Sequence, residues 1–136
     1  MTVSATDSTT VLVIEDDPWT RTITTALLSG EGFGVVEAKN GEEGLRLARQ
    51  EQIHAVLLDL ALPTKSGLEV LRELKSDPST RDIPVIVVSA YGALMNDDDA
   101  RQATGVVQKP FDYDDLVGHV ERATGRQTTL QPALLS

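Results

Sequence analysis

Four short apolar runs limit what this chain can fold into: Val11-Leu12-Val13-Ile14, Ala55-Val56-Leu57-Leu58, Val85-Ile86-Val87-Val88 and Gly105-Val106-Val107-Gln108. Continuous apolar runs of this length, rich in β-branched residues and separated by helix-patterned stretches, read as parallel strands buried on both faces. Each runs into polar residues. The first leads into Glu15-Asp16-Asp17, the second into Asp59, the third into Ser89 and the fourth into Lys109-Pro110. Ligands of such sheets bind outside the carboxyl ends of the strands, near the point where strand order reverses. Carboxylates, a hydroxyl and an ammonium are therefore expected to meet at one edge of one sheet, a setting for a hard cation and a phosphoryl group.

The stretches between the runs carry helix signals. Pro18 suits the opening turn of a helix. Trp19, Ile23, Ala26 and Leu27 fall on one face of it at helical spacing, and Gly30 and Gly32 mark its end. Gly34 to Ala38 reads as a further strand. Asn40 is placed to cap a helix, with Glu43 three residues on, and Leu45 and Ala48 form that helix's inner face. Pro63, Ser66 and Gly67 precede a helix with Val70, Leu71 and Leu74 inward. Asp112 reads as the cap of a last helix that turns Leu116, Val117, Val120 and Ala123 inward. Between Ser89 and Lys109 the pattern is interrupted by Asn96-Asp97-Asp98-Asp99. Consecutive acids disfavour a helix interior but suit a first turn, so a short helix from about Asp98 to Thr104 and a mobile connection are both consistent with the sequence. The order of elements indicates an α/β sandwich around a parallel sheet.

Composition narrows the function classes. A chain of 136 residues, 40% apolar and 24% charged, is one domain by length and ordinary for a globular protein. Its net charge of −9 and lack of any basic run argue against nucleic acid as a direct partner. Cysteine is absent, which excludes disulfides and thiolate chemistry. Residues 1–10 read as a polar leader without the features of a signal peptide, and no stretch has the length to cross a membrane. The cytoplasm is the default location. Residues 125–136 read as a tail, either a linker or a packing extension, with apolar Leu130, Leu134 and Leu135 but no clear period.

Over residues 11–124 the chain resembles a receiver domain of bacterial two-component phosphorelay signalling. The resemblance rests on motifs in order: Val11 to Ile14 with Glu15-Asp16-Asp17-Pro18; Leu57-Leu58-Asp59-Leu60 followed by Pro63 and Gly67; Ile83-Pro84 with Val85 to Val88 and Ser89-Ala90; and Lys109-Pro110-Phe111. It implies a flavodoxin-like three-layer sandwich, with a five-stranded parallel sheet of order 2-1-3-4-5 and helices on both faces. It also implies Asp59 as phosphoacceptor, since a carboxylate nucleophile gives an acyl phosphate. Mg²⁺, with Mn²⁺ as an alternative ion, would be bound by Asp16 and Asp59, by the backbone carbonyl of Ala61 and, through water, by Glu15. Lys109 would pair with a phosphoryl oxygen, Ser89 would donate a hydrogen bond to another, and small Ala90 would leave room beside them. Pro110 matches the family's cis proline. The implied donor is a sensor histidine kinase or a histidine phosphotransfer protein, and the implied output is a switched contact with a downstream protein. The exposed faces around Asp97 and along the last helix from Tyr113 are where that contact is expected.

Two departures qualify the resemblance. Val106 stands where many members carry the Tyr or Phe that swings inward on phosphorylation, and the segment from Ser89 to Lys109 looks slightly short. Ala61 and Tyr91 occupy positions flanking the path of the attacking water. An apolar Ala cannot orient that water and a Tyr could screen it, so slow loss of the phosphoryl group is expected. Other residues read as structural. Asp17 reads as a solvated neighbour, His54 and His119 as surface or strand-edge histidines, Trp19 and Phe33 as core, and Asp97–Asp99 as a solvated face. Two other functions compete. A haloacid-dehalogenase-type phosphatase would need a second aspartate where Ala61 stands, and a degenerate receiver would act only as a constitutive binding scaffold.

Overall fold

Residues 9–90 and 95–126 are described by the computed structural model. Tyr91 and most of the expected leader and tail lie outside them. Five strands alternate with five helices among the described residues: β1 Thr10–Ile14, α1 Pro18–Gly30, β2 Gly34–Ala38, α2 Gly41–Gln50, β3 Ala55–Leu58, α3 Gly67–Ser76, β4 Val85–Ser89, α4 Asp97–Gln102, β5 Gly105–Gln108 and α5 Tyr113–Thr124. The strands form one sheet in the order β2-β1-β3-β4-β5, and every neighbouring pair is parallel. This is the flavodoxin-like arrangement. Thr10, the last residue of the expected leader, belongs to β1 and pairs with Gly34.

The alternation of side chains along a strand divides the core into two layers. Leu12, Ile14, Val56, Leu58 and Val85 face one side and pack with Leu45 and Ala48 of α2 and Val70, Leu71 and Leu74 of α3. Val11, Val13, Leu57, Ile86 and Val88 face the other and pack with Leu28 of α1 and Leu116 and Val120 of α5. The central strands β3 and β4 are buried throughout, and β1 is buried from Val11 onward. The outer runs are not. β5 is an edge strand in which Val107 is buried while Val106 is 41% exposed, because α4 has only six residues.

Asn40 caps its helix as expected, and Asp17 and Ser66 are caps that the sequence reading did not assign. The Asp17 carboxylate accepts hydrogen bonds from the Thr20 N–H (2.8 Å) and hydroxyl (2.6 Å). Asn40 Oδ1 accepts from the Glu43 N–H at 2.8 Å, and Glu43 in turn accepts from the Lys39 N–H at 2.7 Å. Ser66 and Glu69 form a reciprocal capping box. Asp112 occupies the cap position of α5, but its side chain makes no capping hydrogen bond.

Two expectations from the sequence are corrected. Trp19 is 71% exposed and Ile23 37% exposed; α1 instead buries Thr24 and Leu28. Thr24 can be buried there because its hydroxyl donates back to the Thr20 carbonyl at 2.8 Å. Phe33 is buried as expected. Asp99 is the second correction. It is not on a solvated face: its side chain is 3% exposed, it is the buried residue of α4, and it accepts two hydrogen bonds from Arg72 of α3, from Nε at 3.0 Å and Nη2 at 2.8 Å. Such two-pronged guanidinium–carboxylate pairs fix geometry as well as charge.

α4 is therefore anchored to the fold by an ion pair. Arg72 holds the Asp99 carboxyl below its ordinary value, mainly through these hydrogen bonds. The stability gained is fully present above the ordinary value of 3.8 and is lost as pH falls through the lower value kept in the fold. Arg72→Met should accelerate amide hydrogen exchange in α4 selectively at neutral pH and flatten the acid limb of the stability profile, both read by exchange mass spectrometry and acid titration.

Candidate functional site

The polar ends of the buried strands meet at the carboxyl edge of the sheet, where strand order reverses between β1 and β3. Oxygens of Glu15, Asp16 and Asp59 lie within 4.8 Å of one another. Glu15 and Asp59 are buried, and Asp16 is exposed at the rim. Each is held by its element. The Asp59 N–H donates to the Ile14 carbonyl at 3.1 Å, which ties the end of β3 to the end of β1. The Asp59 Oδ1 accepts from the Ala61 N–H at 3.1 Å. The Glu15 N–H donates to Ala38 of β2 at 3.0 Å, and Glu15 Oε2 accepts from the Asp17 N–H at 3.1 Å.

Lys109 arrives from the end of β5. Its Nζ donates to Glu15 Oε1 at 2.7 Å and lies 3.3 Å from Asp59 Oδ2. Burial alone would lower its pKa, but the hydrogen bond to Glu15 and the charges of Asp59 and Glu15 outweigh that and raise it, so it is protonated at neutral pH. Burial raises the Glu15 pKa, assisted by the charge of Asp59 and opposed by the Lys109 and Asp17 hydrogen bonds. Ser89 is fully buried at the end of β4, and its carbonyl accepts from the Lys109 N–H at 3.2 Å. Continuing the Leu58–Val87 register puts Asp59 beside Val88, with Ser89 next along the strand. The Lys109–Pro110 bond is cis.

The loop after β3 explains Gly67. A Cβ there would collide with the Asp59 carbonyl and the Leu60 Cα, because α3 starts directly against the strand end; the Gly67 N–H donates to the Leu60 carbonyl at 3.0 Å. In the same loop Thr64 has a φ of 61°, an uncommon and costly choice for a β-branched residue. Beside the site, Thr20, Ile23, Lys109, Pro110 and Phe111 line an open groove of about 470 Å³.

A family model described as the response regulator receiver domain matches residues 11–121. The chain belongs to the response regulator receiver family. The receiver is 34% identical over 103 residues to the polar-differentiation response regulator DivK of Brucella anthropi, covering 74% of this chain and 84% of that protein. It spans only about half the length of other curated relatives, 51% in the case of RpaA from Synechocystis. Among solved structures it is similar to the response regulator TrrA of Thermotoga maritima in complex with Mg²⁺-BeF, with a TM-score of 0.78, 31% identity, and 85% of this chain and 98% of that one covered. It is equally similar to the receiver domain of the sensor histidine kinase PA1611 from Pseudomonas aeruginosa, which has a magnesium ion in its active-site cleft (TM-score 0.78, 27% identity, 87% and 98% covered).

The donor set of this receiver suits a small hard cation. Three carboxylates converge where, among the described residues, only one cation, Lys109, touches two of them, and Mg²⁺ takes oxygen ligands while keeping several waters, for which exposed Asp16 leaves room. Sequence reasoning did not find Arg21, whose Nη1 donates to the Glu15 carbonyl at 2.8 Å. Its signal, an arginine one turn into a helix that follows an acidic strand end, was present but not distinctive.

Relief of charge repulsion gives a test. Asp16→Asn should stabilise the metal-free protein by about 1 kcal/mol, the repulsion of hydrated like charges about 4 Å apart. Mg²⁺ should raise the melting temperature of the wild type, and Asp16→Asn should abolish that rise. Calorimetry with and without Mg²⁺ checks both.

Proposed function

We propose that residues 11–124 form a working phosphoacceptor switch, with Asp59 taking a phosphoryl group from a phosphohistidine on a sensor histidine kinase or a histidine phosphotransfer protein. The observation that carries this reading is the convergence of Asp59, Glu15 and Asp16 with Lys109 at the strand ends. Asp16, Asp59, the Ala61 carbonyl and, through water, Glu15 would hold Mg²⁺, or Mn²⁺ in its place. When bound, the ion supplies neutralising charge for the phosphoryl oxygens.

The chain's own groups do the rest. An Asp59 carboxylate oxygen attacks phosphorus, the P–N bond breaks, and its electron pair leaves with the imidazole. Lys109 exchanges its carboxylate contacts for a phosphoryl oxygen, and the Ser89 hydroxyl donates to another. Phosphoryl transfer of this kind depends on positioning and charge more than on covalent assistance. A donor protein must bring its histidine past Lys109. The groove lined by Ile23, Pro110 and Phe111 gives it an apolar seat, with exposed Trp19 one turn earlier on the same face of α1. The switched output is contact with a downstream protein, in keeping with a regulatory domain whose turnover is limited to self-catalysed transfer and slow autodephosphorylation. Ala61, exposed beside Asp59, supports slow loss, since a methyl group cannot orient water.

Intact mass after incubation with a small-molecule phosphodonor and Mg²⁺ should increase by one phosphoryl group in the wild type and not in Asp59→Asn. Failure of the wild type to gain it, with fold and Mg²⁺ binding intact, favours the constitutive scaffold. The phosphoryl group should outlast a timescale of seconds, and a polar residue at Ala61 should shorten its life; seconds-long decay that such a change leaves unaltered overturns the slow-loss reading. Ile23→Asp should leave labelling by the small donor unchanged while slowing transfer from a phosphohistidine protein by about tenfold, the effect of losing roughly one buried aliphatic contact.

A further inference from the structure

The Arg21 guanidinium is only 15% exposed on its side chain, yet no carboxylate lies within hydrogen-bond distance of it among the described residues. Its shortest contact is to a main-chain carbonyl, that of Glu15 at 2.8 Å from Nη1, and the same nitrogen reaches the Asp16 carbonyl at 3.4 Å. Both carbonyls lie beyond the last rungs of β1, where Ile14 pairs with Ala38 and Leu58, so the sheet offers them no ladder partner. Behind the guanidinium stands Glu37 of β2, with Oε1 3.6 Å from Arg21 Nε. The Thr25 hydroxyl holds the other oxygen of Glu37. The arrangement is a brace that runs from β2 through α1 to the peptide carrying two of the three converging carboxylates.

We propose that Arg21 is a positioning residue for the metal-binding carboxylates, fixing the Glu15–Asp16 peptide through its carbonyls so that both acids stay turned toward Asp59. The proposal rests on the reading of the acidic cluster as the Mg²⁺ site. Three carboxylates within 4.8 Å repel one another, and two of them are on consecutive residues just past the last paired residue of β1. A clamp on the main chain keeps that peptide in place without occupying any carboxylate oxygen, which salt bridges to the acids themselves would do. Two effects of removing Arg21 oppose each other. Losing its positive charge, which repels a bound cation, should tighten cation binding. Losing an outer-shell orienting contact typically weakens metal affinity 10–100-fold. The two effects have opposite signs, so the direction of the change separates the two roles, and the proposal requires weaker binding.

Isothermal titration of the full chain with Mg²⁺ alone tests this in the wild type, Arg21→Met, Arg21→Lys and Glu37→Gln, alongside metal-free melting temperatures. Arg21→Met should bind Mg²⁺ at least about tenfold more weakly while unfolding near the wild-type temperature, and Arg21→Lys, which keeps a donor and the charge, should recover part of the loss. Unchanged or tighter binding by Arg21→Met overturns the proposal. If Arg21→Met does not fold, Glu37→Gln decides: about two- to threefold weaker binding supports the brace, and wild-type affinity overturns it. A wild type that binds no Mg²⁺ overturns the metal reading and this inference together, whereas wild-type binding that persists in the Arg21 variant overturns only the role of Arg21.

Discussion

The contact on which the site depends is the bridge from Lys109 to Glu15 and Asp59. Two carboxylates cannot be buried side by side without a counter-charge, since desolvating each unpaired ion is expensive by several kcal/mol. The counter-charge comes from the end of β5, at one edge of the sheet, while the acids come from β1 and β3. Lys109 and Glu15 are separated by 94 residues in sequence. Because all strands are parallel their carboxyl ends lie on one side, and the order β2-β1-β3-β4-β5 sets the ends of β1 and β3 next to each other. Topology and chemistry are thus the same constraint seen at two scales. A site of this kind also keeps its cation in reserve: Lys109 is engaged by carboxylates in the resting protein and is close enough to engage a new anion.

The strands and their polar ends could be read from the chain because buried parallel strands leave an unambiguous trace, a run of β-branched residues with no polar interruption. The Asn40 cap was equally readable, since capping is local chemistry, whereas Asp17 and Ser66 were not recognised as caps and Asp112 makes no capping hydrogen bond. What else escaped was set by tertiary environment. Thr24 looks polar in a sequence but is a core residue once its hydroxyl turns back onto its own helix, and α1 buries it rather than Trp19. Asp99 looks like one of three solvated acids until Arg72, 27 residues earlier, is found opposite it. Val106 reads as a buried strand residue, and only the edge position of β5 exposes it. Arg21 belongs to the same class, because its partners are main-chain carbonyls that carry no sequence signature.

Two of these misses, Asp99 and Val106, lie on neighbouring elements, α4 and β5. The layer formed by α2 and α3 is closed by leucine, isoleucine and valine, whereas α4 is attached through charge and β5 beside it is half open. Apolar packing is insensitive to salt and has no partner to lose. An ion pair can be exchanged for another ion pair. The receiver therefore combines an apolar platform beneath its acidic site with one flank whose attachment is electrostatic, on the side where Val106 is exposed.

Trp19 is the single tryptophan of the chain, and it stands in water three residues from Asp16. Its indole is already hydrated in the native state. Tryptophan emission is consequently a poor witness to global unfolding here, because denaturation changes its surroundings little. The same placement makes it an intrinsic optical reporter at the mouth of the site, sensitive to whatever settles on the first turns of α1 and largely blind to the core behind them.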